Sequence, residues 1–110
     1  MSDYPLKLTE IANWYRSKQL SLEGSGVSID EIRERTAYLP ATAADFTADK
    51  TMGRINGWVT GEFDFEAIRT PGGEDLLSWH VDVLALDELE DTYKKVIQCL
   101  LHPEKVGPDK

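Results

Sequence analysis

Gly53-Arg-Ile-Asn-Gly-Trp-Val-Thr-Gly-Glu-Phe-Asp-Phe-Glu-Ala67 alternates polar and apolar residues on both sides of a Thr60-Gly61 turn, which is the pattern of a β-hairpin. Loop length decides which residues share a face. A two-residue loop pairs Val59 with Glu62 and sets Ile55 beside Glu62, Asp64 and Glu66, mixing core with solvent positions. A three-residue loop of Val59, Thr60 and Gly61 places Ile55 and Gly57 opposite Phe65 and Phe63, and it puts Gly61 where a left-handed residue is needed. The three-residue loop is therefore expected.

The same parity crosses the turn-rich Thr70-Pro-Gly-Gly-Glu74 into a further strand, Asp75 to Val83, whose Leu77, Trp79 and Val81 join the core face. The opposite face then carries Arg54, Asn56, Trp58, Glu62, Asp64, Glu66, Ser78, His80 and Asp82, a continuous polar and acidic surface. Upstream, Val27 to Thr36 has two readings. Val27 and Ile29 alternate as in a strand, while Ser28 with Glu31 has capping-box spacing before Ile32; the strand is favoured. Pro40 interrupts the chain, and Ala44 with Phe46 marks a short second strand.

Leu8, Ile11, Trp14 and Tyr15 trace one face of an amphipathic helix from about Pro5 to Gln19, ended by the Ser21 to Gly26 stretch. Pro5 suits a first turn, where its missing N–H costs nothing. From Leu86 a second helical stripe runs through Leu89, Tyr93, Val96, Ile97 and Leu100, with Asp87, Glu88, Glu90 and Asp91 at the end where the helix dipole favours negative charge. The expected fold is α+β: an N-terminal helix, an antiparallel meander of about four strands, and a C-terminal helix packed on one sheet face. The two helices would cover the Phe63/Phe65/Trp79 face. Residues 1–110 are expected to form one domain, with an ordered core of about 5–101 and a tail at 102–110 where Pro103 and Gly107 fall.

Composition narrows the partners. Twenty acidic residues against twelve basic ones give a net charge of −8, which repels phosphate backbones and anionic lipid headgroups and attracts a basic protein surface. Neither nucleic-acid nor membrane binding is expected. Cys99 is the single cysteine, so no intrachain disulfide can form. MSDYPLKLTE lacks a basic segment followed by an apolar run, and no stretch approaches the ~18 apolar residues of a membrane span, so a cytosolic protein is expected.

The residues that could carry chemistry form no recognisable catalytic set. Asp64 and Glu66 share a sheet face, as a pair of acid–base carboxylates does, but alternating acids are also the ordinary pattern of a solvent-facing strand. His80 falls across from Asp64 with Ser78 two residues along, and no nucleophile elbow surrounds the serine. His80, His102 and Cys99 do not have zinc-ligand spacing, and Cys99 lies inside the last helix as a structural residue. Gly72-Gly73 precedes neither a helix nor a Lys-Ser or Lys-Thr pair, so it is a turn and not a phosphate cradle. No catalytic residue, cofactor, metal or small-molecule substrate is expected. Trp58 differs from its polar neighbours: it either anchors a docking surface or packs on Arg54 or beneath the Tyr38–Pro40 loop.

The blocks Met52-Gly-Arg-Ile-Asn-Gly-Trp58, Gly61-Glu-Phe-Asp-Phe-Glu66 and Trp79-His80, with a leading helix and a closing Asp-Glu-Leu-Glu90 helix, resemble the TriTu-type immunity proteins of bacterial polymorphic (Rhs/type VI) toxin systems. The likeness spans roughly residues 8 to 101 and is strongest from Gly53 to His80. It implies an inhibitor that binds a cognate toxin domain in a 1:1 complex in the cytosol, the toxin being an NAD-dependent ADP-ribosyltransferase that modifies elongation factor Tu. The family pattern has an acidic residue after the tryptophan where this chain has Val59, so contacts at the turn would differ. With the polar face as docking surface, the partner-binding residues would be Arg54, Trp58, Glu62, Asp64, Glu66, His80 and Asp82. Two other readings remain: a small acidic secretion or effector chaperone, and an enzyme using Asp64, Glu66 and His80.

Overall fold

The computed structural model describes residues 4–36 and 38–105. In chain order these form α1 (Leu8–Ser21), β1 (Ser28–Arg35), β2 (Ala41–Thr47), β3 (Thr51–Trp58), β4 (Glu62–Arg69), β5 (Asp75–Asp82), a 3-10 turn at Leu86–Leu89, and α2 (Glu90–Leu101). The strands make one antiparallel meander in the order β1-β2-β3-β4-β5, with the two helices on the same side. It has one strand more than the four or so expected.

The β3–β4 hairpin has the register that its alternation predicts. Ile55 pairs with Phe65 and Gly57 with Phe63 across the loop of Val59, Thr60 and Gly61. Gly61 has φ of 95°, and a Cβ there would lie 2.0 Å from the Val83 carbonyl oxygen, so only glycine fits. Gly57 serves a different purpose. Its missing side chain leaves room for the Phe63 ring, whose Cε2 would stand 2.1 Å from a Cβ at that position.

β1 resolves as the favoured strand, and its geometry explains the ambiguity. Ile29 faces Phe46 and Ile32 faces Ala44, with a bulge at Asp30 between them. The extra residue breaks the period of two and gives the apolar positions a helix-like spacing of three. The first helix starts later than its periodicity predicts, because Leu6 donates its N–H to the Val59 carbonyl at 3.1 Å. Pro5 therefore lies before the helix, whose entry is held by the Lys7 N–H donating to Glu10 Oε1 at 2.9 Å.

Tyr15 and Ile11 of α1, Ala44 and Phe46 of β2, Ile55, Phe63 and Phe65 of the hairpin, and Leu89, Val96 and Leu100 at the C-terminal end form the core. Tyr15 ties helix to sheet through its hydroxyl, placed 2.9 Å from the Thr42 carbonyl and 3.1 Å from that of Ile55. Thr51 does the same for α2, donating to the Leu100 carbonyl at 2.7 Å.

Three expected core residues, Leu77, Trp79 and Val81, are not fully buried. Helix α1 packs on β1 and β2 and α2 on β3 and β4, which leaves β5 over. A helix is about 10 Å across and strands lie about 4.8 Å apart, so two helices cover four strands and not five. Trp79 is 39% exposed in consequence, and Leu77 and Val81 are half-buried. After α2, Pro103–Lys105 form a 3-10 turn with Pro103 buried. The rest of the predicted tail, residues 106–110, lies outside the described residues. Among the described residues no helix is long and apolar enough to cross a membrane.

Candidate functional site

The sheet face away from the helices is open, and strand alternation decides what it displays. Arg54 pairs with Glu66 and Glu66 with Ser78; Asn56 pairs with Asp64 and Asp64 with His80; Glu62 pairs with Asp82. Arg54, Trp58, Glu62, Asp64, Glu66, His80 and Asp82 therefore share this face, where their parity places them. Trp58 is half-buried opposite Ala41, so it presents only part of its indole.

The face is not uniformly acidic. Glu62, Asp64, Glu66 and Asp82 make the β4–β5 half negative, while Arg33, Arg35 and Arg54 stand on the β1–β3 half together with Glu31 and Asp45. Asp45 organises the arginines. Its carboxylate accepts from Arg33 Nη2 at 2.9 and 3.1 Å and from Arg54 Nε at 2.7 Å, and this bonding raises the Arg54 guanidinium pKa further. Sequence reasoning missed Arg33, Arg35 and Asp45 because the bulge at Asp30 has to be placed before the arginines can be assigned a face. Apolar contact surface comes from Met52, 47% exposed, and half-buried Ile68, directly across from it.

His80 sits among carboxylates. Its Nδ1 lies 2.6 Å from Asp64, and its Nε2 lies 3.2 Å from Asp82 and 4.0 Å from Glu62. The hydrogen bond to Asp64 raises its pKa above the ordinary histidine value, and the bond to Asp82 and the charges of both acids add to it. An imidazole stabilised as a cation is a weaker candidate for a general base. Ser78 faces Glu66 one step along, and no hydrogen bond joins it to His80 among the described residues. Donor atoms of Glu62, His80 and Asp82 lie within 4.8 Å of one another, a grouping that neither His102 nor Cys99 enters and that sequence spacing did not reveal. All three residues are exposed, as acidic groups that hold no ion commonly are. Cys99 is buried in α2, and burial pushes its thiol pKa up, away from a reactive thiolate. His102 pairs with Glu104 at 3.8 Å, remote in sequence from this cluster.

Such a face, wide, charged in two halves and edged by apolar side chains, is equipped to recognise another protein. A family model described as "Immunity protein TriTu" matches residues 9–99, which takes in the whole sheet and nearly all of both helices. The chain belongs to the TriTu immunity protein family. Comparison with curated proteins gives no match. Membership of the TriTu family makes the chain's role immunity against a toxin, and its partner is that toxin protein. The blocks that carried the resemblance, Gly53–Trp58 and Gly61–Glu66, are the two arms of the central hairpin, so the family pattern and the sheet's register coincide.

Proposed function

We propose that this TriTu-family protein neutralises its toxin by covering the toxin's active or target-binding site with the open sheet face, through Arg54, Trp58, Glu62, Asp64, Glu66, His80 and Asp82. The toxin domain is an NAD-dependent ADP-ribosyltransferase acting on elongation factor Tu, the complex is 1:1, and it forms in the cytosol of the producing cell. The chain performs no catalysis of its own. It acts as a single domain without cofactor. One observation supports this reading above the others: neither helix covers the open face, whose acidic and arginine-bearing halves can be matched only by a surface of complementary layout. A sheet is also stiff, which limits the entropy lost on docking.

Transfer of labelled ADP-ribose to purified elongation factor Tu tests the proposal. Titrating the chain into the toxin domain should abolish transfer at one equivalent. Undiminished transfer at a large molar excess of folded chain would contradict it. A secretion chaperone is favoured by one feature, the partly exposed Trp79 on β5 with half-buried Leu77 and Val81 beside it, since chaperones commonly dimerise through apolar surfaces. Light scattering at micromolar concentration separates the two: a monomer without affinity for an unfolded segment counts against the chaperone.

A further inference from the structure

β5 ends the sheet, and the direction of its free hydrogen-bonding groups follows from one bond. Val83 donates its N–H to the Gly61 carbonyl at 2.8 Å, so that residue points toward β4. Alternate residues of a strand point their N–H and C=O to opposite sides, so Val81, Trp79 and Leu77 also face β4 while Asp82, His80 and Ser78 face outward. The short Asp64–His80 side-chain contact agrees, because side chains approach most closely at non-hydrogen-bonded pairs.

The two edges of the sheet are unlike. β1 carries the bulge at Asp30 and five charged side chains, Asp30, Glu31, Arg33, Glu34 and Arg35, which are features that protect an edge from pairing. β5 has its bulge only near its start, at Leu76, and from there to Val81 it has no Asp, Glu, Lys or Arg. A strand laid beside β5 would meet two different borders. On the helix side lie Trp79, with Leu77 and Val81, and then Thr92 and Lys95 of α2. On the open side lie His80 and Asp82, backed by Glu62 and Asp64 of β4, three carboxylates to one imidazole.

We infer that the β5 edge receives an extended segment of the toxin as a sixth strand, its side chains alternating between apolar, against Trp79, and basic, against Glu62, Asp64 and Asp82. Backbone bonds to Ser78, His80 and Asp82 supply affinity, and the alternating side chains supply register. The inference rests on the chain's role as a toxin antagonist, and its test keeps the two separate. The probe is an inactivated form of the cognate toxin domain, added at about a hundred times its Kd to isotope-labelled protein. Amide exchange at Ser78, His80 and Asp82 should slow by about a hundredfold, the factor that such saturation allows, while Glu31 and Arg35 exchange as before. A complex that leaves the three β5 amides at their free rates overturns the sixth strand alone; no complex at all overturns the antagonist reading and the sixth strand with it. Ser78→Pro removes one outward N–H without touching the β4 ladder and should weaken binding about tenfold or more, with Ser78→Ala within about twofold of the parent. Equal affinity for a folded Ser78→Pro protein would also overturn the inference.

Discussion

Tyr15 and Tyr93 are both buried aromatics of the core, yet their hydroxyls have opposite consequences. That of Tyr15 lies between two strand carbonyls, while that of Tyr93 has no hydrogen-bond partner among the described residues, and burial holds its pKa up to about 12. Tyr15→Phe should cost about 1–2 kcal/mol in urea unfolding, and Tyr93→Phe should be neutral or stabilising, because only the first removes a bond that was made. Equal losses would contradict the pairing. Both positions were legible as helix-face residues, but which hydroxyl finds a carbonyl depends on the sheet beneath and has no sequence signal. His80 carries the pH dependence. Its pKa in the folded protein is raised above 6.5 by Asp64 and Asp82, so it contributes stability that is fully present below about pH 6.5 and is lost as pH rises through the raised value. His80→Gln should remove that alkaline-side decline from the stability profile, and coincident profiles for the two proteins between pH 6 and 8 would refute it.

The central hairpin was legible in full because period-two alternation ran unbroken through both arms and the loop length was the one choice that kept Ile55 with the phenylalanines. Its weak point is Gly57, where a methyl group would meet the Phe63 ring within 2.7 Å of three of its carbons. Gly57→Ala should destabilise by roughly 1–3 kcal/mol or more in chemical unfolding, through overpacking. A measured gain, as expected if the strand merely lacked β propensity there, would show that the ring moves freely aside. β1 was harder, since one bulged residue changes parity without changing composition, and so the arginines of its open face went unassigned. Burial of β5 was not legible either. Leu77, Trp79 and Val81 have core parity, but coverage depends on how many strands two helices can span.

Across the molecule, the net charge of −8 was plain in the sequence, but its division into an acidic β4–β5 half and an arginine-bearing β1–β3 half needed the sheet. That division bears on association. Changing Glu62, Asp64 and Asp82 together to Lys should slow toxin binding by about tenfold or more at low salt, with the difference shrinking at high ionic strength, as measured by stopped flow. A salt-independent loss would point to misfolding in place of lost steering. The family assignment rests on residues 9–99, and the claim that follows from it is protection. Its most direct measurement is survival of cells expressing the toxin domain with and without this chain. Growth restored by co-expression is the predicted result; continued killing despite abundant, folded protein would contradict the account.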